Sequence, residues 1–510
     1  MYTDVLIIGG GATGTGIVRD LSLRGISCIL VEQNDINAGA TGANHGLLHS
    51  GARYVAKDIE AARECHFENH LLKQMAPQCI EETGGLFVAV KGDDEKYIAD
   101  FPVMCQTAGL PCEDISIDEA MALEPSLSKD IIAAYRVNDA SIDPFKLSID
   151  NLSDAVTHGA KILRHHEVTC FLKKGSIIYG VELFNHSNGK KVIVKASEVI
   201  NATGAWADIV AARAGVGVDM LYSKGSLLVT SSRLNSMVIN RLRQAADADI
   251  LVPGGTVSII GTTSVTLDSL DDIRPTSQEV DYVIAEGSVM VPELSTCRYI
   301  RAYSGVRPLV HNIGADGRTV SRNYSLIDHE SDGIENFITI TGGKLSTYRL
   351  MAEKTSDLVC KKLNNDSFCL TDKTPLPESD MGRWVEPGKS SKYWFMNKDS
   401  SDTLLCECEM VSKSMVDSIV DCIRVEGKNP DLKEIGLRSR VGKGPCQGFF
   451  CSFRIASHLY DTGVFVEDQG LSGIKDFIGE RWKGLKPLVR QDELVQTDLQ
   501  EAFLCGLLGL

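Results

Sequence analysis

Two sets of residues in this chain have types and spacings that can do chemistry. The first is Gly9-Gly10-Gly11-Ala12-Thr13-Gly14. It follows an apolar stretch, Asp4-Val5-Leu6-Ile7-Ile8, with no spacer. In a strand-to-helix turn Gly9 makes the bend, Gly11 lets backbone approach a pyrophosphate, and Gly14 lets helix and strand pack closely. Ala12 and Thr13 then begin a helix whose N-terminal N–H groups and positive dipole end favour an anion. Glu32 ends the next strand and can accept hydrogen bonds from a ribose diol. Strand, turn, helix and acid together predict a bound dinucleotide rather than a structural glycine turn. The pattern alone does not separate FAD from NAD.

The second set is Cys406-Glu407-Cys408 and Cys446-Gln447-Gly448-Phe449-Phe450-Cys451. Four thiolates can ligate a [2Fe–2S] cluster. A tetrahedral zinc site and buried free thiols are the other readings. Zinc ligand pairs usually stand two to four residues apart, so Cys-x-Cys is a poor start for zinc. Of 15 cysteines in all, those outside this set are scattered and read as core.

These residues need elements to hold them. Ile17, Val18 and Leu21 recur at helical spacing up to Gly25, a C-cap, and Cys28-Ile29-Leu30-Val31-Glu32 reads as a second parallel strand. Asp58 to Met75 is helical and stops at Pro77. Lys161–Val168, Val192–Ile200, Ile250–Val252 and Val257–Ile260 read as strands, the last two split by the turn Pro253-Gly254-Gly255. Strands alternating with helices, with β-rich insertions, indicate an α/β domain carrying a second, sheet-based domain. Leu370 to Asp402, with Pro375, Pro377 and Pro387, reads as a linker. A cysteine module follows, with helices over Val411–Val420 and Phe449–Tyr460. Val495, Leu499, Ala502 and Phe503 place an apolar face on the tail, which either docks a partner or folds back on its own domain.

Composition sets the bounds. At 510 residues, 43% hydrophobic and 24% charged, this is a multidomain globular chain. Lys plus Arg is 52 and Asp plus Glu is 68, a net charge of −16, which argues against a nucleic-acid partner. No apolar run reaches the roughly 18 residues of a membrane span. Met1 leads straight into the first strand with no basic n-region, so no secretory signal is expected. Many cysteines in a chain without a signal read as reduced cytosolic thiols.

Three further stretches carry a resemblance: Thr41-Gly-Ala-Asn-His-Gly-Leu-Leu-His-Ser-Gly-Ala-Arg-Tyr54, Arg301-Ala-Tyr-Ser-Gly-Val-Arg-Pro-Leu309, and Thr341-Gly-Gly-Lys-Leu-Ser-Thr-Tyr-Arg-Leu-Met-Ala-Glu353. With the N-terminal glycines they resemble the FAD-dependent glycerol-3-phosphate dehydrogenases. The C-terminal cysteines narrow this to the catalytic subunits of the anaerobic enzymes. The likeness extends to Glu480-Arg-Trp-Lys-Gly484. It implies a glutathione-reductase-like, FAD-binding Rossmann domain with an inserted β-sheet substrate domain, as in D-amino-acid oxidase. A small helical module like the bacterioferritin-associated ferredoxin would carry the cluster, with Arg438, Arg440 and Lys443 offsetting its charge. The implied segments are FAD-binding at roughly 1–75, 145–215 and 300–365 and substrate-binding at 76–144 and 216–299. A linker at 371–402, an iron–sulfur module at 403–465 and a tail at 466–510 complete the chain.

The resemblance also implies oxidation of sn-glycerol 3-phosphate to dihydroxyacetone phosphate. Electrons would pass from FAD through the cluster to two partner subunits, one electron-transfer flavoprotein-like and one a membrane-anchoring iron–sulfur protein. They would then reach quinone. The protein would be cytoplasmic, held at the inner face of the membrane by those partners. Its chemistry needs a phosphate anchor, a proton acceptor and a counter-charge for reduced flavin. Forked guanidinium groups suit a phosphate, which selects Arg53 and Arg307. Tyr54 can donate a hydrogen bond to substrate. His49 and His45 are the candidate proton acceptors. Lys344 would stabilise negative charge on the flavin or the developing alkoxide. Arg301 and Arg349 are assigned to local structure. Thr41, His45, Gly46, Val168, Thr203, Gly204, Gly342, Gly343 and Leu345 join the glycine loop as cofactor contacts. Two rivals stay open: a related flavin dehydrogenase or oxidase of a 2-hydroxy acid or amine, and a non-catalytic redox sensor.

Overall fold

A computed structural model describes residues 1–310, 323–377, 394–396, 399–424 and 430–508. Its first layer is a sheet built on the strand Tyr2–Ile8, in which Val5, Leu6 and Ile7 are fully buried. Burial on both sides demands a continuous apolar strand, which is what the sequence supplies. Tyr2–Ile8 lies between Cys28–Val31 and Lys190–Asn201, parallel to both. Lys161–Leu163 extends the parallel set beyond Cys28–Val31, and Phe337–Gly342 extends it beyond Lys190–Asn201. An antiparallel meander, His166–Lys174, Ile177–Asn185 and Lys190–Asn201, leaves one edge. The expected strand Lys161–Val168 is thus two strands. Arg164 and His165 intervene, and His165 takes a positive φ of 58°.

The helices Ala12–Leu23, Pro144–Thr157, Ala207–Ala214 and Tyr348–Lys362 pack on this sheet. Arg19 bridges two of them, its Nε donating to Asp154 at 2.7 Å. The same guanidinium donates to the carbonyl of Thr374, at 3.0 Å, and Leu376 donates its N–H to Met75. The start of the expected linker therefore lies on this layer as far as Leu376, which is buried. Residues 378–393 and 397–398 of that linker lie outside the described residues.

A nine-stranded sheet forms the second layer. Its long pair is Met220–Thr230 against Tyr299–Val310, antiparallel. The expected hairpin is present as Ile250–Gly254 and Val257–Gly261. Gly85–Val90, Glu113–Ile115 and Ile131–Val137 join from the earlier part of the chain. Tyr299–Val310 falls within a segment that the sequence assigned to FAD binding. It lies in the second sheet because it pairs along its length with Met220–Thr230.

The C-terminal module packs Lys413–Arg424, Leu432–Leu437 and Cys451–Asp461 around one apolar core. The helix Gln469–Leu485, expected to be tail, supplies Ile474, Phe477, Ile478 and Trp482 to that core. Its Gly484 packs on Arg301 and on the carbonyl of Ala302 in the second sheet. The module meets the first layer through a buried ion network. Arg438 Nη1 and Nη2 donate to Asp35 at 2.7 and 3.1 Å. Arg164 Nη1 donates to Asp35 at 2.8 Å and to Glu434 at 2.7 Å, and His165 Nε2 stands 3.0 Å from Glu434. Arg438 therefore does not serve the cysteines as expected; its charge is matched by Asp35, across the module's contact with the Rossmann layer.

Candidate active site

One cavity of about 620 Å³ runs between the two sheets. Gly9, Gly11, Ala12, Thr13, Glu32, Thr41, His45, His49, Arg53, Tyr54, Val168, Thr203, Gly204, Arg307, Gly342, Gly343, Lys344 and Leu345 all line it. Two predicted contacts do not. Gly14 is buried in the first helical turn, where a Cβ would stand 2.0 Å from the Gly9 carbonyl oxygen. Its role is the close packing of helix on turn. Gly46 stands behind the wall, its carbonyl accepting the Ile142 N–H at 2.8 Å.

The dinucleotide end is built by the first βαβ unit. Gly9 has φ of 114°, and a side chain there would meet the Ala202 carbonyl oxygen at 2.5 Å. Only glycine meets both conditions. Thr41 Oγ1 accepts the Ala12 N–H at 3.0 Å and so fixes the helix start. Glu32 accepts the Gly10 N–H at 2.7 Å and the Asn34 N–H at 2.8 Å. Burial pushes its carboxyl pKa up, and those two N–H groups partly offset the shift. Thr203 donates to Asn201 at 2.6 Å, and Thr341 Oγ1 donates to the Gly204 carbonyl at 3.0 Å, joining the two loops that face the glycines. The Val168 carbonyl is taken up by Arg213, a cavity residue that no motif had marked.

The catalytic candidates meet at the other end. Tyr54 Oη lies 3.3 Å from His49 Nε2, and Lys344 Nζ lies 4.8 Å from the centre of the Tyr54 ring. The His49 backbone N–H donates to Ser346 at 3.0 Å, which docks this segment on the loop bearing Lys344. That loop passes through Gly343 at φ 70°, where a Cβ would clash with Met351 Sδ at 2.4 Å. The His45 and His49 ring centres are 6.2 Å apart. Arg53 comes from the short helix Ala52–Tyr54, which packs against the second sheet. Its Nη2 donates to Asp249 at 3.1 Å and to the Ala246 carbonyl at 3.2 Å. Arg307 comes from the second sheet and donates to Ser223, Thr262 and the Thr263 carbonyl. Asp249, Ser223, Thr262 and Thr263 lie in stretches without motif character, so sequence spacing offered no signal for them. Arg349 is structural, as expected, with Glu68 and Glu353 as its partners.

The four cysteines lie in the module, away from this lining. The Cys406 and Cys408 sulfurs are 3.8 Å apart, and those of Cys408 and Cys446 are 3.7 Å apart. Cys451 interacts electrostatically with Cys406 and Cys446, so the four thiols form one cluster. The thiols touch one another; among the described residues no group of three or more acidic, histidine or cysteine side chains is spread to hold a metal as it stands. The charge around them suits an anion. Burial pushes the Arg481 guanidinium, which interacts with Cys446 and Cys451, down to about 9, whereas Lys443, expected here, lies over the Phe145 ring beside Asp143. A group held by four thiolates would offset the Arg481 charge. Arg440, also expected here, is paired with Glu409.

Fold and cavity together define an FAD-dependent oxidoreductase: residues 4–349 match the FAD dependent oxidoreductase family, DAO. Over its whole length the chain is 43% identical to the A-subunit of anaerobic glycerol-3-phosphate dehydrogenase from Escherichia coli (strain K12), covering 97% of that protein. It is 38% identical to the A1-subunit of the corresponding Haloferax volcanii enzyme, over 97% of this chain and 89% of that one. Among solved structures, glycerol-3-phosphate dehydrogenase from Bacillus halodurans, complexed with FAD, superposes with a TM-score of 0.66 at 20% identity, covering 96% of this chain and 97% of that one. L-proline dehydrogenase from P. horikoshii gives 0.60 at 22% identity, over 71% of this chain and 94% of that one. These structural likenesses show the fold. The sequence likenesses go further, and the chain belongs to the family of anaerobic glycerol-3-phosphate dehydrogenase A-subunits.

Proposed function

We propose that the chain is the catalytic subunit that oxidises sn-glycerol 3-phosphate to dihydroxyacetone phosphate. One observation carries this reading. Two arginines far apart in the sequence, Arg53 and Arg307, share one cavity with the His49–Tyr54–Lys344 group and the glycine loop. That combination suits an anionic alcohol beside a dinucleotide. Arg307 holds the phosphate. Arg53 adds to it with donors other than Nη2, which is committed to Asp249. The C2 hydroxyl gives its proton to His49, with Tyr54 bridging. Lys344 stabilises the alkoxide as it forms. An FAD held by the glycine loop would supply the hydride acceptor for C2, so that the alcohol would lose two electrons and two hydrogens and leave as the ketone.

Cys406, Cys408, Cys446 and Cys451 hold a [2Fe–2S] cluster in this reading, and their convergence beside the buried Arg481 supports it. Cys408 is exposed, and so is the neighbouring Phe450, which suits electron exit through a partner protein to quinone. Val495, Leu499 and Phe503 are likewise exposed, while Leu504 is buried in the module core; this favours a partner on the outer face of the last helix. Among the described residues no helix is long and apolar enough to cross a membrane, and in this reading membrane contact runs through partners.

Dye-linked oxidation tests the reading. Glycerol 3-phosphate should yield dihydroxyacetone phosphate, and lactate or amino acids should yield nothing. Turnover of a hydroxy acid without turnover of glycerol 3-phosphate would reject it.

A further inference from the structure

Arg307 rests on a shelf that is itself fastened from beneath. The strand Met220–Thr230 presents alternate residues to its two faces. Ser223 and Gly225 face the arginine: Ser223 Oγ accepts from Nη1 at 3.2 Å, and a Cβ on Gly225 would lie 2.7 Å from Nη2. Lys224 and Ser226 face the opposite way and meet Glu279, which is buried. Lys224 Nζ donates to Glu279 Oε2 at 2.9 Å, and Ser226 Oγ donates to Oε1 at 2.8 Å. Thr263 joins the two faces. Its carbonyl accepts from Arg307 Nη2 at 2.8 Å, while its hydroxyl donates to Glu279 Oε1 at 2.9 Å and accepts the Ser226 N–H at 3.0 Å. Glu279 also closes the capping box of the helix Ser277–Met290 through Thr276. Helix start, strand and loop thus converge on one carboxylate. Burial alone would raise its pKa, but Lys224 and the other donors hold it below the usual range and keep it charged.

We propose that Glu279, acting through Thr263, is a positioning residue that fixes the direction in which Arg307 presents its guanidinium fork to the substrate anion. The proposal deepens the reading of Arg307 as phosphate anchor and rests on it. Neither residue touches substrate. Bidentate recognition depends on the angle of the fork as well as its charge, so loosening the shelf costs binding without removing the cation.

A set of variants separates the two claims. Thr263→Val keeps shape and carbonyl but loses the hydroxyl. It should raise KM for glycerol 3-phosphate, and the inhibition constant for inorganic phosphate, by the same factor, up to about tenfold for one lost hydrogen bond. kcat and flavin content should stay near wild type. Thr263→Ser keeps the hydroxyl and should behave as wild type. Gly225→Ala should raise both constants because its methyl displaces the guanidinium directly. In an Arg307→Lys background Thr263→Val should add nothing, since there is no fork left to aim. If Gly225→Ala weakens phosphate binding and Thr263→Val does not, the positioning role is wrong and the anchor stands. If neither does, the anchor reading falls as well. Glu279→Gln, which retains one acceptor oxygen, guards against a folding defect in Thr263→Val: unchanged phosphate inhibition in both variants overturns the proposal.

Discussion

Arg438 joins the cysteine module to the Rossmann layer, and cutting that joint has a calculable cost. Both of its Nη atoms bond Asp35, and its side chain is fully buried. Arg438→Met fills the space and strands part of the Asp35 charge. Breaking a buried pair by removing one partner costs about 3–5 kcal/mol. Asp35 keeps Arg164 at 2.8 Å and its side chain is 16% exposed, so the loss belongs at the low end. The expected destabilisation is about 3 kcal/mol, a factor of roughly a hundred in the opening equilibrium. Asp35→Asn alone should also destabilise, because it leaves Arg438 unmatched. The double variant removes both charges and should cost less than the sum, with a coupling of about 1–3 kcal/mol. Urea unfolding of the four proteins, followed by circular dichroism and by flavin fluorescence on release, measures the cycle. Flavin release should follow the opening, because Asp35 sits in the loop that carries Glu32 and Asn34. Strictly additive single variants would refute the ion-network reasoning.

The same network predicts an acid edge. Burial alone would raise the Glu434 pKa, but His165 and Arg164 outweigh it and bring it down to about 2; Asp35 is also held below the usual carboxylate range, against burial, by Arg438 and Arg164. Stabilisation by depressed carboxylates is present above their unfolded pKa and disappears as pH falls through the folded value. Docking should therefore hold through neutral pH and fail progressively below about pH 4, as thermal unfolding against pH would show, with the edge moved upward in Arg438→Met. Gly9→Ala forces a side chain to 2.5 Å from the Ala202 carbonyl oxygen at a positive φ and should give protein purified without yellow colour; normal flavin content would contradict the turn geometry. Cys446→Ser should leave flavin reduction by substrate and dye-linked turnover intact and abolish transfer to quinone. Normal quinone reduction in that variant would remove the cluster from the electron path.

Local physics made part of this molecule readable from sequence. The turn at Gly9 to Gly14 depends only on residues within one strand–helix unit, so strand, helix and acid could be placed from spacing. The hairpin around Pro253-Gly254-Gly255 was readable for the same reason. What escaped is non-local. The break at Arg164 and His165 interrupts an apolar run because Arg164 serves Asp35 and Glu434, which are distant in sequence. The helix Gln469–Leu485 looked like tail because its apolar residues match a core assembled from earlier segments. Arg438 looked like a counter-charge for the cysteines until its partner was seen. At the candidate site, glycines and arginines carried motif character, whereas Asp249, Thr263 and Glu279 did not. Their roles arise only once strands far apart in the chain lie side by side.

The central claim is that glycerol 3-phosphate reduces flavin held in the cavity between the two sheets. Anaerobic addition of one equivalent of sn-glycerol 3-phosphate to purified protein tests it without any partner or dye. The account predicts loss of visible flavin absorbance with formation of dihydroxyacetone phosphate, and a sharply raised substrate requirement in Arg307→Lys. Flavin that stays oxidised in the presence of excess glycerol 3-phosphate, or that bleaches equally well in Arg307→Lys, would contradict it.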